Sequence, residues 1–237
     1  MRSGVGGLLL AGVVASATVV AGVVPAVGAS VSEEAPSVRA PAALEDLGCF
    51  IGRSATGGLR LDAAVRRFQI ANRLGQTGEL NRRTRTRLAS PKAARCDVRP
   101  VPAHSGNGRR IVMSQGQNWL WLVRADGTVA AQGGVVDNNW LPHRAYATGD
   151  QCGRPGRSRY RSTEDDALSI NFFVRFAYCK VGFHEIPVSR RTGQKIHPDY
   201  LVGTNLTQSH GCVRMAHPLI DRLWQFTEKP TTVVVVD

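Results

Sequence analysis

A short segment near the C-terminus carries the residue types that a thiol nucleophile needs. Residues 209–214 read Ser-His-Gly-Cys-Val-Arg, so a histidine, a cysteine and an arginine alternate along the chain. In an extended segment, side chains two residues apart share one face, so His210, Cys212 and Arg214 are predicted to project together while Val213 points into the core. A cysteine attacks as its thiolate, which nearby imidazole or cationic groups favour by lowering the thiol pKa.

Other residues could complete such a site. His184, at the end of an apolar run, is a second imidazole that could act on Cys212. Gly211 is predicted to leave backbone N–H groups open to a substrate carbonyl, and Arg214 could hold a carboxylate bidentately. The competing interpretation of Cys212 is a buried and inert apolar residue, which is what a lone cysteine often is in a folded protein.

A zinc site is the other chemistry that these residue types allow. Its ligands would come from His184, His197, His210, Cys212 and His217. Neither a Cys-x-x-Cys nor a His-Glu-x-x-His spacing is present, so we predict no metal and no cofactor. We predict that His197 lies on a loop surface and that His217 is a local structural residue before a helix.

The N-terminus predicts the compartment. Residues 5–27 follow Arg2 without a charged side chain, and small residues occupy positions 26–29. This pattern predicts an export signal over residues 1–29. The alternative is an uncleaved membrane anchor, because about 20 apolar residues can span a bilayer. Either way, we expect the rest of the chain to be secreted or held in the cell envelope, outside the cytoplasm.

An extracytoplasmic location makes the cysteines informative, because disulfides form in oxidising compartments. The order along the chain favours the pairs Cys49–Cys96 and Cys152–Cys179 and leaves Cys212 unpaired. Four cysteines allow three pairings, so spacing alone leaves the connectivity open. Each predicted closure is worth roughly 3.5 to 4 kcal/mol by chain entropy.

The charge of the chain predicts an anionic partner. Lys and Arg outnumber Asp and Glu by 30 to 18, a net charge of +12. Between residues 53 and 95, eleven basic residues face two acidic ones. The extracytoplasmic prediction disfavours nucleic acid and favours an anionic cell wall, with a solvated basic face as the alternative. A membrane is predicted as a partner only if the export signal remains uncleaved.

The first half of the chain is predicted to hold a linker and a small helical domain. Residues 30–43, rich in Ser, Ala, Pro and Glu, are predicted to be the linker. The helical domain is predicted over residues 44–96. Asp62 is its predicted helix cap, ahead of a helix that places Leu61, Val65 and Phe68 on one face. The recurrence of Leu80, Thr84 and Leu88 at four-residue intervals predicts a second short helix.

The second half is predicted to be mainly β, so the fold class is a mainly β domain preceded by a small α-helical one. Residues 97–108 are predicted to be a second linker, and the β domain spans 109–237. An Asp-Gly pair between two apolar runs predicts a hairpin over residues 119–131. Residues 170–183 form a further apolar run, and the β-branched residues 231–236 predict a buried strand. Before it, a helix beginning at Pro218 is predicted to turn Leu219, Ile220, Leu223 and Trp224 inward.

Part of the helical domain resembles the peptidoglycan-binding domain of bacterial wall enzymes. The resemblance covers some 45 residues and depends on residues 64–69, Ala-Val-Arg-Arg-Phe-Gln, and on the turn at 77–80, Thr-Gly-Glu-Leu. It implies that the basic domain docks on the cell wall.

The C-terminal domain resembles the L,D-transpeptidase catalytic domain of the YkuD type. The resemblance covers about residues 109–237 and depends on the Ser-His-Gly-Cys core at 209–212 and the Phe-His-Glu at 183–185. It implies a β-sandwich-like fold in which Cys212 is the acyl-accepting nucleophile and His184 its base. It also implies that His210 and the backbone at Gly211 and Cys212 hold the oxyanion. We place substrate-binding positions at Ser209, Gly211 and Arg214.

The resemblance implies that Cys212 forms a thioester with a peptidoglycan stem peptide and passes it to an amine of a second stem, which cross-links the wall. If water accepts the acyl group, the same site is an L,D-carboxypeptidase. A cysteine endopeptidase is a further alternative, although those enzymes place the cysteine well before the histidine. The last alternative is a non-catalytic wall-binding protein with an unreactive thiol. The stretch between His184 and Cys212 is longer than is usual in the family, which we attribute to an inserted loop around residues 193–202.

Overall fold

The computed structural model describes residues 36–163 and 166–237. The predicted export signal over residues 1–29 and the first part of the predicted linker, residues 30–35, lie outside the described residues. In the two described ranges, no helix combines the length and the apolar character that crossing a membrane requires. Residues 34–237 cluster into one compact unit, which includes both the predicted helical domain and the predicted β domain.

Three helices form the N-terminal part of this unit, namely α1 (Pro36–Asp46), α2 (Gly58–Ala71) and α3 (Arg82–Leu88). The prediction of a linker over residues 30–43 is therefore wrong from residue 36 onward. Its Pro and Ser content suggested a break, yet Leu44 at the end of α1 packs fully buried against Val65 and Phe68 of α2. Tertiary burial of one face thus stabilises a helix that its composition does not favour.

The apolar face predicted for α2 is confirmed, but the predicted cap is wrong. Val65 and Phe68 lie in the core of the helical part, and Leu61 packs against it. Helix α2 begins after Gly57, and Asp62 lies inside it, 2.9 Å from the Arg66 guanidinium. Since residues four apart are neighbours on a helix, the Asp62 side chain pairs with Arg66. The disulfide Cys49–Cys96 joins the two ends of this part.

Ten strands are present in the rest of the described residues, and the mainly β prediction is confirmed. The strands are β1 (Arg110–Ser114), β2 (Trp119–Val123), β3 (Val129–Val136), β4 (Ala145–Ala147), β5 (Arg157–Ser162), β6 (Leu168–Ala177), β7 (Val181–Glu185), β8 (Val188–Ser189), β9 (Val213–Met215) and β10 (Thr232–Val236). Hydrogen bonds connect them in the order β4-β10-β1-β2-β3-β9-β7-β6-β5, and β8 pairs with β6 beside this path. The pairs β1–β10 and β7–β9 are parallel and the others are antiparallel.

Strand β3 joins the two halves of the sheet, which pack as a sandwich. Its first part pairs with β2 in the predicted hairpin, and its end at Val135 and Val136 pairs with β9. One buried core contains side chains from both halves, such as Leu120 and Phe183, together with α4 (His217–Phe226). Helix α4 begins one residue before the predicted Pro218 and buries the predicted apolar face. The sequence at 231–236 forms β10, which buries alternate residues on one face.

The segment between the helices and the sheet contains no regular secondary structure over residues 97–109, yet it is firmly attached. The Arg99 guanidinium lies 3.9 Å above the Trp119 ring, and burial lowers the Arg99 pKa to about 9. The Trp121 indole N–H donates to the Arg99 carbonyl at 2.9 Å. The segment therefore covers the outer face of β2 as part of the fold.

A buried arginine fastens the helices to the β part. Arg67 of α2 is 1% exposed, and its guanidinium donates to the carbonyls of Val202 at 3.1 Å, of Tyr200 and of Cys49. Burial lowers the Arg67 pKa to about 10. Two of the three carbonyls belong to the segment that we interpreted as an insertion, so that segment is a docking site for α2.

Candidate functional site

The pairing of β7 with β9 places the strand that carries His184 beside the segment that follows Cys212. His184 of β7 is in register with Arg214 of β9, and the preceding pair is Phe183 with Val213. Phe183 and Val213 face the core, so His184 and Arg214 project from the other face. Cys212 directly precedes Val213, and its sulfur lies 3.7 Å from the Lys180 carbonyl oxygen, just before β7. The thiol therefore lies beside the start of the strand that carries His184.

Two hydrogen bonds donated by backbone N–H groups hold the loop that carries Cys212. The Ser209 N–H donates to the Asp137 carbonyl at 3.0 Å, and the Gly211 N–H donates to the Ser209 hydroxyl at 3.0 Å. Gly211 has φ +136°, and a Cβ there would lie 3.3 Å from the Trp140 indole nitrogen. The positive φ and the nearby indole both explain why the residue before Cys212 is a glycine.

Three details of the sequence prediction for this loop differ from the structure. The strand begins only at Val213, so His210 and Cys212 both precede it, and the exposed His210 lines the same cavity as Cys212. The Gly211 N–H was expected to be open to substrate, but the Ser209 hydroxyl already accepts it. Arg214 is buried, donates to the Gln208 carbonyl at 3.4 Å and does not line the cavity described below.

The protonation state of His184 follows from its contacts. The imidazole is buried, and its Nδ1–H donates to the Glu185 carbonyl at 2.6 Å. This bond leaves Nε2 as the nitrogen that can accept a proton. The Phe173 ring stacks on the imidazole, with centroids 6.2 Å apart. Burial above all, and then the positive charges of Arg214 and Arg161, lower the His184 pKa to about 4, so the ring is neutral at neutral pH.

The surroundings of the Cys212 thiol raise its pKa, whereas the sequence predicted that neighbouring groups would lower it. The thiol donates to the Lys180 carbonyl at 3.7 Å. Burial raises the thiol pKa, and the Gly182 N–H and the charges of Arg161, Arg214 and Arg175 offset this only in part. Low local polarity disfavours the charged form of both groups, so thiol and imidazole rest as a neutral pair.

The raised thiol pKa predicts how the resting protein reacts with a small electrophile. We expect the rate of iodoacetamide alkylation at Cys212 to keep rising with pH beyond the midpoint of a free cysteine, because only the thiolate attacks. Intact-mass kinetics from pH 6 to 10 measure this, with free cysteine as the reference. A midpoint below that of free cysteine would contradict the neutral pair.

A cavity of about 640 Å³ opens onto the thiol. Two exposed aromatic rings, Trp140 and Tyr178, pack beside it at a tilt, with centroids 5.2 Å apart. The cavity is lined by Trp140, Arg154, Arg161, Thr163, Ile170, Tyr178, Lys180, Val181, His210, Gly211 and Cys212. The sequence predicted the last three of these residues as part of the site. The aromatic and cationic lining residues could not be predicted, because they come from loops and strands far from the motif and share no spacing with it.

The second disulfide adjoins, in sequence, residues that line the cavity. Cys179 follows the lining residue Tyr178 and precedes Lys180, whose carbonyl accepts from the thiol. Its bond to Cys152 ties this turn between β6 and β7 to the loop that carries Arg154. The structure thus contains both disulfides that the sequence order favoured, and Cys212 is its free cysteine.

The other histidines occupy different positions. The prediction that His197 lies on the surface is wrong, since it is 7% exposed and its Nδ1–H donates to the Pro198 carbonyl at 3.2 Å. His217 lies 3.3 Å from the buried Glu185 carboxylate, as suits a local structural residue. In the two described ranges, no group of three or more His, Cys, Asp and Glu side chains could hold a metal ion.

A free thiol at a cavity, beside the strand that carries a buried imidazole, presents the residue types that cysteine-dependent acyl transfer uses. The family model described as the YkuD L,D-transpeptidase catalytic domain matches residues 105–235, just over half of the chain. The protein therefore belongs to the YkuD L,D-transpeptidase family.

Solved structures similar to this chain include L,D-transpeptidases from three bacteria. That from Xylanimonas cellulosilytica is 21% identical, covering 84% of this chain and 92% of its own, with a TM-score of 0.47. That from Stackebrandtia nassauensis is 16% identical, covering 85% and 90%, with a TM-score of 0.44. L,D-transpeptidase 1 from Mycobacterium tuberculosis is 13% identical, covering 56% and 63%, with a TM-score of 0.39. No curated protein matches the chain.

Proposed function

We propose that this protein is a cell-wall L,D-transpeptidase that cross-links peptidoglycan stem peptides through a Cys212 thioester. The observation that carries the proposal is the unbridged thiol at the cavity of a YkuD-family domain, next to the strand that carries the buried His184. Stem peptides are the proposed donors and acceptors because the family acts on them.

The first half-reaction forms the acyl-enzyme. Nε2 of His184 takes the Cys212 proton as the sulfur attacks the carbonyl between an L-centre and a terminal D-alanine of the donor. We assign the tetrahedral oxyanion to the Cys212 N–H and to His210, because the Gly211 N–H is engaged with Ser209. The His184 imidazolium then gives its proton to the nitrogen of the departing D-alanine. The neutral resting pair suits this step, since charge appears only when the substrate has excluded water.

The second half-reaction resolves the thioester. The side-chain amine of a diaminopimelate in a neighbouring stem attacks the thioester carbonyl and loses its proton to His184. The carbon–sulfur bond breaks, the thiol is regenerated by that proton, and the new amide is the cross-link. Neither half-reaction requires a metal ion or a redox cofactor.

The helical part supports a role in wall docking. A groove of about 720 Å³ between α2 and α3 is lined by four arginines, Arg73, Arg82, Arg83 and Arg87. We propose that it attracts the anionic wall polymer near the site of cross-linking. The two disulfides support an extracytoplasmic location for the folded protein.

Incubation of the oxidised protein with a purified disaccharide tetrapeptide tests the function. We expect a product with the mass of two substrates minus one alanine, detected by mass spectrometry. A sample whose Cys212 has been alkylated beforehand is the control and should give no product. A tripeptide alone would indicate an L,D-carboxypeptidase, and cleavage at another bond a cysteine endopeptidase. Unchanged substrate would contradict an enzyme and favour a wall-binding protein.

A further inference from the structure

Three cationic side chains line the cavity beside the thiol. They are Arg154, Arg161 and Lys180, and no acidic residue is among the lining residues that the structure describes. In the described part of the chain, no carboxylate forms an ion pair with any of the three. Elsewhere on the molecule arginines do have such partners, as in Arg66–Asp62 and Arg95–Asp97. The cavity therefore holds positive charge that the described chain does not neutralise.

Arg161 is the most firmly positioned of the three. It is half-buried on β5, whereas Arg154 and Lys180 are exposed. Its guanidinium carbon lies 4.4 Å above the Phe173 ring, and the same ring stacks on the His184 imidazole. A guanidinium that lies over an aromatic face can still bind a carboxylate bidentately through the N–H groups at its edge. Its charge also acts on both reacting groups, since it lowers the pKa of His184 and of Cys212.

The positive charge of the cavity determines which substrate it favours. A protonated acceptor amine would meet like charge there, whereas a donor peptide with carboxylates would meet opposite charge in a partly water-excluded place. Arg214, the residue that the sequence suggested for a carboxylate, is buried and bonded to the Gln208 carbonyl, so it is not available for this role.

We propose that the cavity contains a carboxylate subsite, with Arg161 as its principal ligand and Arg154 and Lys180 at its rim, which selects acyl donors whose carboxyl groups are free rather than amidated. The inference rests on the proposed function, because it concerns the donor of that reaction. The carboxylate comes from one of two places on the donor, the terminal D-alanine or the side chain of the residue whose carbonyl is attacked.

Three donor peptides distinguish the two possible sources of the carboxylate. They are a disaccharide tetrapeptide with both carboxyl groups free, one amidated at the terminal D-alanine, and one amidated at the diaminopimelate side chain. The measurement is the rate of acyl-enzyme formation by intact-mass kinetics at matched low donor concentrations. With the wild-type protein, we expect at least one amide to react about tenfold more slowly than the free acid, since a charge-assisted hydrogen bond is replaced by a weaker one. The donor that is slowed identifies the source.

The Arg161→Gln variant tests whether Arg161 is the residue that binds the carboxylate. We expect its ratio of free-acid to amide rates to fall to within about twofold of one, and Arg161→Lys to restore part of the ratio. Arg159→Gln is the matched control, because Arg159 lies on the same strand with its guanidinium 4.2 Å above Phe172 and does not line the cavity. Its ratio should equal that of the wild type. A variant that is merely damaged would slow all donors alike and leave the ratio unchanged.

The outcomes distinguish this inference from the function on which it rests. Equal rates for all three donors with the wild-type protein would overturn the carboxylate subsite and leave acyl transfer at Cys212 intact. A wild-type ratio that persists in Arg161→Gln would overturn the role of Arg161. No acyl-enzyme from any donor would overturn the proposed function and the subsite with it.

Discussion

Replacing Cys212 with alanine is expected to abolish acyl-enzyme formation and to lower cross-linking by at least about 10⁴-fold, because the variant lacks the atom that forms the thioester. The other four cysteines are held in disulfides, so no second thiol is present to take over. Intact mass after incubation with donor reads this directly, since the wild-type protein gains the acyl mass and the variant should not.

Folding of the Cys212→Ala variant needs its own check. Its urea unfolding transition should stay close to that of the wild type, since the side chain is partly exposed at a cavity and its bond to the Lys180 carbonyl is long, at 3.7 Å. A mass gain that persists in the folded variant would place the acyl group on another residue and refute the nucleophile. Alkylation of the wild type should reproduce the loss.

Replacing His184 with glutamine is expected to slow acylation by about 10² to 10⁴-fold, which is the usual contribution of a positioned general base. The glutamine amide can still donate to the Glu185 carbonyl, as the imidazole does at 2.6 Å, but it cannot take the thiol proton. The comparison thus separates proton transfer from positioning. His104→Gln, at an exposed position in the segment before the sheet, is the matched control and should react at the wild-type rate.

The pH profile gives this variant a second readout. His184 must be neutral to accept a proton, and burial lowers its pKa to about 4. The rate of acylation by the wild type should therefore persist below the ordinary histidine range and fall only as pH decreases through about 4. In His184→Gln that acidic limb should disappear. A wild-type profile that falls near pH 6.5 would instead indicate an exposed imidazole as the base.

The strands and the free cysteine could be predicted because their signals are local. The hairpin at 119–131 follows from alternating apolar residues around Asp-Gly, and Cys212 is the unpaired member of five cysteines in a distinctive motif. A strand or a turn is specified by residues that adjoin one another in sequence, so one sequence is enough to find it.

The remaining errors concern properties that only packing creates. Residues 36–43 lack a favourable helical composition, and their helix is stabilised by contacts with α2. His197 is buried although its loop reads as polar, and the thiol pKa is raised because burial outweighs the surrounding cations. Arg161 carries no motif at all, since its position over Phe173 depends on the pairing of β5 with β6.

The hydrogen bonds from the Arg67 guanidinium to the carbonyls of Val202 and Tyr200 join the helices directly to the β part. The arginine-lined groove and the Cys212 sulfur therefore belong to one packed unit. Under the proposed wall docking, we expect a polymer bound in that groove to present its stem peptides to the thiol at a defined distance. The groove would then determine where along the polymer a bond is made.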